Sequence, residues 1–370
     1  MIKHKIALFS IEYYYTNFDF FIYIIFTLLP LLLVVAIFTL AERKAMASIQ
    51  RRSGPNIVGL MGLLQPFADG LKLVVKEIII PSKVNKFLFI VGPGFTLFLS
   101  FISWSLIPFD QYTKIFNLQN NLLLFLVISS LGVHGILLSG WSSNSKYALL
   151  GSLRSVSQMV SYEVSINLII IPIAILSNTL NLTEIVNKQY ETCWFILPML
   201  PLSIIFFISM LAETNRTPFD LPEAEAELVA GYNVEYSGVT FAGFFLGEYA
   251  NILLMSSLFV ILFLGGGSLE IYSTHYSAEF NMHTSSLVCI FLFCFKTIWI
   301  TFIFIFIRAN LPRFRFDQLM TIGWKIFLPV SLSFIFFFFG ILLATNSLSI
   351  NQLPFTSSEH DFIQAYSLLF

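Results

Sequence analysis

Three ionisable side chains stand inside runs that are otherwise almost purely apolar: Glu163 in RSVSQMVSYEVSIN, Glu248 in FFLGEYAN and Lys296 in FLFCFKTIWI. If these runs cross a bilayer, each charge costs at least about 2.5–3.5 kcal/mol to insert, so it must face a bundle interior or a water-filled cavity. A buried carboxylate without a full partner can take up and release protons near neutral pH, which is what a proton relay needs. His134, within another apolar run, is a weaker member of the set. The bland alternative is a structural pair, Lys296 with Glu163 or with Glu248, and both readings stay open at this point.

A second cluster lies in one stretch, AETNRTPFDLPEAEAELVAGYNVEYS (212–237). It holds Glu213, Glu223, Glu225, Glu227, Glu235 and Asp220 between two greasy segments. Ordinary helix chemistry accounts for part of it. Asp220 suits the N-cap of a helix starting at Leu221, Glu223 completes a capping box, and Gly231 suits the helix end. Acids in a first turn also favour the helix dipole. That leaves Glu225, Glu227, Glu213 and Glu235 without a reason. Glu223 and Glu227 share a face at i,i+4, where like charges repel, so a set that shares protons is expected. Glu163, Glu213 and Glu248 all fall toward the same ends of their apolar runs and can meet at similar depth. On that side also lies RANLPRFRFDQLM (308–320), three arginines interleaved with Phe314 and Phe316. It reads equally as a solvated basic loop or as a dock for an acidic soluble partner.

The elements that must position these groups are set by composition. The 370 residues are 57% hydrophobic and 11% charged, against about 25% charged in soluble domains. No soluble core hides that much apolar surface, so lipid is the solvent. A net charge of -1 points away from nucleic acid. Cys193, Cys289 and Cys294 form no metal-ligand spacing, and there is no GxGxxG or Walker A motif, so no metal, iron–sulfur cluster, flavin or nucleotide is expected on this chain. Gly265-Gly266-Gly267 reads as a turn. The first apolar run has no small-residue cleavage site and reads as a retained helix.

Windows of about 20 apolar residues fall near 20–41, 87–108, 121–141, 155–177, 192–212, 241–264, 285–307 and 325–347. They are continuous rather than alternating, so the expected fold is all-α, a polytopic membrane protein with eight transmembrane helices. One membrane domain is expected over 1–347, with 348–370 as a polar C-terminal extension. Most Lys and Arg fall in the loops 42–86, 142–154, 213–240 and 308–325, with Lys3, Lys5, Lys114 and Lys188 on the other side. The positive-inside rule puts the first set in the cytoplasm or mitochondrial matrix and the N-terminus outside. Within the first inner loop, Leu63, Leu64, Phe67, Leu71, Val74, Val75 and Ile78 recur at three- and four-residue steps, with Asp69, Lys72 and Lys76 opposite. That pattern predicts an amphipathic helix in the interface plane. It is either a surface anchor alone or one wall of a sideways opening for a lipid-soluble molecule.

AERK (41–44), QRRSGPN (50–56), GLLQPFADGLKLVVKE (62–77), SYE (161–163), the 212–237 stretch, GEYAN (247–251) and RANLPRFRFDQLM, taken together, resemble subunit 1 of the proton-pumping NADH:quinone oxidoreductase, respiratory complex I. The resemblance runs in order from about residue 20 to 347. It implies a subunit that joins the hydrophilic arm to the pumping arm, with ubiquinone entering between the first and sixth helices and the amphipathic helix. It makes Arg43, Arg51, Arg52, Phe67, Asp69, Phe219, Asp220 and Arg313 candidates for the quinone channel or its rim. Glu163, Glu213, Glu223, Glu225, Glu227, Glu235 and Glu248 match the acidic path toward the pumping subunits. The partners implied are the quinone-site subunits of the hydrophilic arm and adjacent small membrane subunits, in the mitochondrial inner membrane or a bacterial plasma membrane, with NADH, flavin and iron–sulfur clusters bound elsewhere. The rivals are the equivalent subunit of an energy-converting hydrogenase, a stand-alone proton-coupled transporter, and a scaffold whose glutamates are structural.

Overall fold

The computed structural model describes residues 28–109, 118–220, 231–267 and 282–344. Within these residues the regular structure is entirely helical, with no strand. The helices are α1 (28–49), α2 (Gln65–Val75), α3 (Lys86–Ser105), α4 (Asn121–Ser142), α5 (Lys146–Ser177), α6 (Leu182–Glu191), α7 (Leu200–Glu213), α8 (Val239–Phe263) and α9 (Met282–Asn310). The last, α10 (Phe316–Thr321), runs through a π-helical turn (Ile322–Phe327) into α11 (Leu328–Ala344).

Six of these helices are long and apolar enough to cross a membrane: Lys86–Ser105, Asn121–Ser142, Lys146–Ser177, Val239–Phe263, Leu287–Asn310 and Phe316–Ile341. Three expected spans change at their ends. The fourth starts at Lys146, where the Ser145 side chain accepts from Ala148 N at 3.3 Å and caps the helix. The eighth starts at Phe316, because the basic loop becomes helical before its apolar part begins. The fifth shrinks most. α7 has 14 residues, about 21 Å of rise, which is short of the roughly 30 Å of hydrocarbon. Pro198 and Pro201 set that limit, since proline disfavours helix in the residue before it and is at home in a first turn. Residues 192–199 run in turns instead and satisfy their backbone on neighbours. Ile196 N donates to Phe263 O at 3.1 Å, and Gln189 Oε1 accepts from Phe195 N at 3.3 Å and Gly265 N at 3.0 Å.

α8 is the axis. Of its most apolar stretch 72% is buried, against 22% for the α10–α11 segment and 28% for α9. It packs on α2, α3, α6, α7 and α9, while α5 packs on α4, α7 and α11. The outer helices keep apolar faces outward, as Leu287, Phe291, Phe295, Ile298, Phe302 and Phe306 do along α9. The predicted amphipathic segment is helical over Gln65–Val75, with Phe67, Leu71, Val74 and Val75 exposed. Gly62 makes its approach possible. Its φ is +79°, and a Cβ there would lie 2.2 Å from Pro55 O, so only glycine fits. Gly265 and Gly266, both at positive φ, form the turn expected after α8.

Candidate functional site

The end of α7 and the middle of α8 meet at a cavity of about 70 Å³, room for several waters. Glu213 is the last residue of α7 and Glu248 lies two and a half turns into α8, and both line the cavity. Glu213 is only 8% exposed, and its Oε2 has no hydrogen-bond partner. Glu248 accepts from the Tyr232 hydroxyl at 2.8 Å. Glu163, half-buried on α5, has Glu213 and His134 as charged neighbours. Two of the seven acidic candidates, Glu213 and Glu248, thus line one cavity, and Glu163 is an electrostatic neighbour of Glu213 outside its lining. Glu235 lies half-buried in the loop before α8, away from the cavity wall. Glu223, Glu225 and Glu227, with the helix expected after Asp220, lie outside the described residues.

Gln158, one turn before Glu163, fixes the α7 end against α5. Its Nε2 donates to Ala212 O at 2.9 Å and Phe219 O at 2.8 Å. The loop before α8 is held as firmly. Tyr236 stacks on Phe89 with ring centroids 4.1 Å apart, and its hydroxyl donates to Ser139 O at 3.2 Å. Burial pushes the Tyr236 phenol up to about 12, so it stays protonated and keeps donating.

The quinone-channel candidates divide into a rim and a wall. At the rim, Arg43 on α1 pairs with Asp69 on α2 at 2.5 Å, and Gln65 Nε2 donates to the other Asp69 oxygen at 3.0 Å. Phe67, Arg51 and Arg52 are exposed beside it. In the wall, Asp220 is 3% exposed and faces Arg313 at 3.7 Å. Phe219 sits between the rings of Tyr162, at 5.4 Å, and Phe314, at 5.7 Å. Phe314 N donates to Pro218 O at 3.1 Å, which docks the basic-aromatic loop on the acidic stretch.

Between rim and wall lies a charge cluster that sequence reasoning does not single out. Glu42 of α1, buried, pairs with Arg216 at 3.4 Å and with Arg308 of α9. The Arg216 guanidinium lies 4.5 Å from the Tyr249 ring centroid on α8. Burial opposes the charge on Arg216, but Glu42 and Tyr249 outweigh it and hold the group above the ordinary arginine range. The available signal was Glu42 itself, an acid at the end of an apolar run; helix α1 continues to residue 49 and carries it inside.

Lys296 joins neither glutamate. Its Nζ donates to Leu264 O and Gly266 O, each at 2.8 Å, and sits 4.7 Å from the Trp194 ring centroid. It is a cation on the C-terminal end of α8, where the helix dipole and free carbonyls favour it. Among the described residues no three His, Cys, Asp or Glu side chains gather as they would around a metal ion.

The arrangement is therefore an acid-lined cavity inside the apolar bundle and a separate ion cluster that joins α1 to α9 and the residues after α7. Residues 22–339 match the family model described as NADH dehydrogenase. The chain is 56% identical over 324 residues to NADH-ubiquinone oxidoreductase chain 1 of Chondrus crispus, covering 87% of this chain and 96% of that one. It is 51% identical over 321 residues to an NADH-quinone oxidoreductase subunit from the bacterium Paramagnetospirillum magneticum, covering 87% and 91%. With chain 1 of Triticum aestivum it shares 56% identity over 306 residues, covering 83% and 91%. With a family model matched over most of its length and relatives more than half identical to it, the chain belongs to the NADH dehydrogenase family.

Proposed function

We propose that this chain is the membrane subunit of respiratory complex I that admits ubiquinone and couples its reduction to proton translocation. It works as part of the NADH:ubiquinone reductase and is not catalytic alone. In this reading the membrane domain runs to about residue 347 and crosses eight times. The spans are the six long helices, α1 with the residues before it, and α7 with the turns that precede it. The N-terminus lies on the intermembrane-space side of the mitochondrial inner membrane, and α2 lies in the matrix-side interface with its exposed apolar face in lipid.

Ubiquinone passes the rim of Arg43, Arg51, Arg52, Phe67 and Asp69 and approaches the wall of Phe219, Asp220 and Arg313. The site for its head group is completed by partners from the hydrophilic arm, and the acidic path leaves toward small membrane subunits. The names of the relatives, all NADH-ubiquinone or NADH-quinone oxidoreductase chains, favour this over a hydrogenase component. The observation that supports the coupling is the cavity lined by Glu213 and Glu248 at the end of α7, whose following residues lead to Phe219 and Asp220.

The coupling is electrostatic. Two unit charges about 10 Å apart at an effective dielectric constant of about 20 interact by ~1.7 kcal/mol. That changes a protonation equilibrium by somewhat over tenfold. Negative charge on reduced quinone, or its protonation, therefore redistributes protons among the acidic-stretch glutamates, and the change passes to Glu213, Glu163 and Glu248. Glu213→Gln keeps the shape and removes the titration. In assembled complex it lowers rotenone-sensitive NADH:quinone reductase turnover by about tenfold or more. Wild-type turnover and pumping in that variant would end the assigned role.

A further inference from the structure

The cavity at the end of α7 has a one-sided polar chemistry. Five hydroxyls line it: Thr96, Ser100, Ser103, Ser129 and Thr214. Each donates its proton back into its own helix, to Pro93 O, Leu97 O, Leu99 O, Leu126 O and Met210 O, at 2.8 to 3.0 Å. A hydroxyl has one proton to give and two lone pairs to offer, so all five can present only acceptors to the cavity. The phenol of Tyr232 likewise gives its proton to Glu248. Glu248 and Glu213 are acceptors when ionised, and Glu213 Oε2 is buried there without a hydrogen-bond partner. Asn215 turns its amide the other way, its Nδ2 toward Met159 Sδ at 3.5 Å. Asn251 is left as the lining amide that can still donate.

Most of the wall is apolar, and its polar part offers oxygen acceptors and few donors, which rejects anions and suits a hard cation, which takes oxygen ligands. A divalent ion is a poorer match. Mg²⁺ dehydrates reluctantly and demands near-octahedral geometry, and tight Ca²⁺ sites gain affinity from added carboxylates. Here two carboxylates stand with neutral hydroxyls on an otherwise apolar wall, a weaker field than a tight divalent site offers and one suited to a monovalent ion. We propose that the cavity binds an alkali cation, held by Glu213, Glu248 and the neighbouring Ser100 and Ser103 hydroxyls of α3, in competition with the proton. The binding stands on the geometry alone; the competition rests on the proton-path reading of Glu213.

The test uses the assembled complex in detergent, with choline salts in place of sodium, and measures equilibrium binding of radioactive Na⁺. One saturable site is expected, lost in Glu213→Gln and at least several-fold weaker when Ser100→Ala and Ser103→Ala are combined. Na⁺ should be displaced as pH falls. The hydroxyl variant keeps both carboxylates, so it reports on the site even if Glu213→Gln does not assemble. No saturable Na⁺ binding overturns the inference, as does binding equal in wild type and in the hydroxyl variant, which places the ion elsewhere. A variant that loses turnover while wild type binds no Na⁺ leaves the proton path standing; bound Na⁺ with normal Glu213→Gln turnover leaves the ion site standing and removes the path.

Discussion

Glu42 and Glu213 are both buried carboxylates at the edge of an apolar bundle, and they are held in opposite ways. Glu42 faces two arginines and lies in a cluster closed by Tyr249. Its charge is balanced on the spot and fixed by three elements, α1, the residues after α7, and α9. Each keeps one carboxylate oxygen without a hydrogen-bond partner, but Glu213 has no arginine against it, only hydroxyl neighbours whose protons are already committed and space for water. Nothing in the described residues pins its charge. The same residue type serves as a strut in one place and as a site able to change state in the other, and the partners decide which. A buried charge with matched partners is expensive to disturb, whereas one facing a cavity with room for water can exchange its proton without rearranging the bundle.

The comparison breaks most visibly at Glu42. Glu42→Ala leaves Arg216 and Arg308 buried beside each other without the shared anion, and breaking a buried pair in this way costs about 3–5 kcal/mol. The expected outcome is loss of assembled complex on a native gel. Glu42→Ala combined with Arg308→Met, which removes one cation as well, recovers part of the assembly. Normal assembly of the single variant would show that the cluster does not hold α1 to α9.

Tyr232 sharpens the other side. Its hydroxyl donates to Glu248, and Tyr232→Phe removes that bond while leaving the ring against Phe244. A hydrogen bond to a charged group contributes about 1.5–3 kcal/mol, so ionised Glu248 loses support while the neutral acid loses less. Assembly stays intact, and the pH profile of quinone reduction departs from that of wild type because Glu248 has lost its hydroxyl donor. A profile unchanged from wild type would mean that Glu248 does not titrate during turnover.

The described parts of the fold were legible where physics is local. Continuous apolar runs place the long helices, and the three-and-four-residue rhythm of Phe67, Leu71, Val74 and Val75 gives α2. The ends were not legible. Tertiary hydrogen bonds from Gln189 and the prolines at 198 and 201 let residues 192–199 leave the helix while staying apolar. For the site, Glu163 and Glu248 stand out in the sequence by the cost of a charge within an apolar run and Glu213 by its place in the acidic stretch; the structure puts Glu213 and Glu248 on one cavity wall, with Glu163 outside its lining. Glu42, Arg216 and Arg308 were hidden because their neutralisation is visible only in three dimensions: the two arginines count in the sequence as loop charges, and Glu42 as the flank of a span. Lys296 shows the reverse. Its depth suggested a carboxylate partner, and backbone carbonyls at the end of α8 supply the acceptors instead.

The smallest expected effect is at the rim, where the partners resemble those of Glu42 but solvent reaches them. Arg43 and Asp69 lie 2.5 Å apart with 49% and 36% of their side chains exposed. An exposed ion pair contributes at most about 1 kcal/mol and is screened by salt. Arg43→Ala and Asp69→Ala should each leave assembly near wild type, and a double-mutant cycle on thermal stability should give a coupling of about 0.2–1 kcal/mol that fades with added salt. Function gives a sharper contrast. If ubiquinone passes this rim, the single variants raise the apparent KM for quinone while changing turnover at saturation little, because the pair positions the opening between α1 and α2 and takes no part in the chemistry. A coupling as large as that of the Glu42 cluster would mean that the rim is buried by a neighbouring chain of the complex, and the division between a closed strut and an open rim would then have to be redrawn at α2.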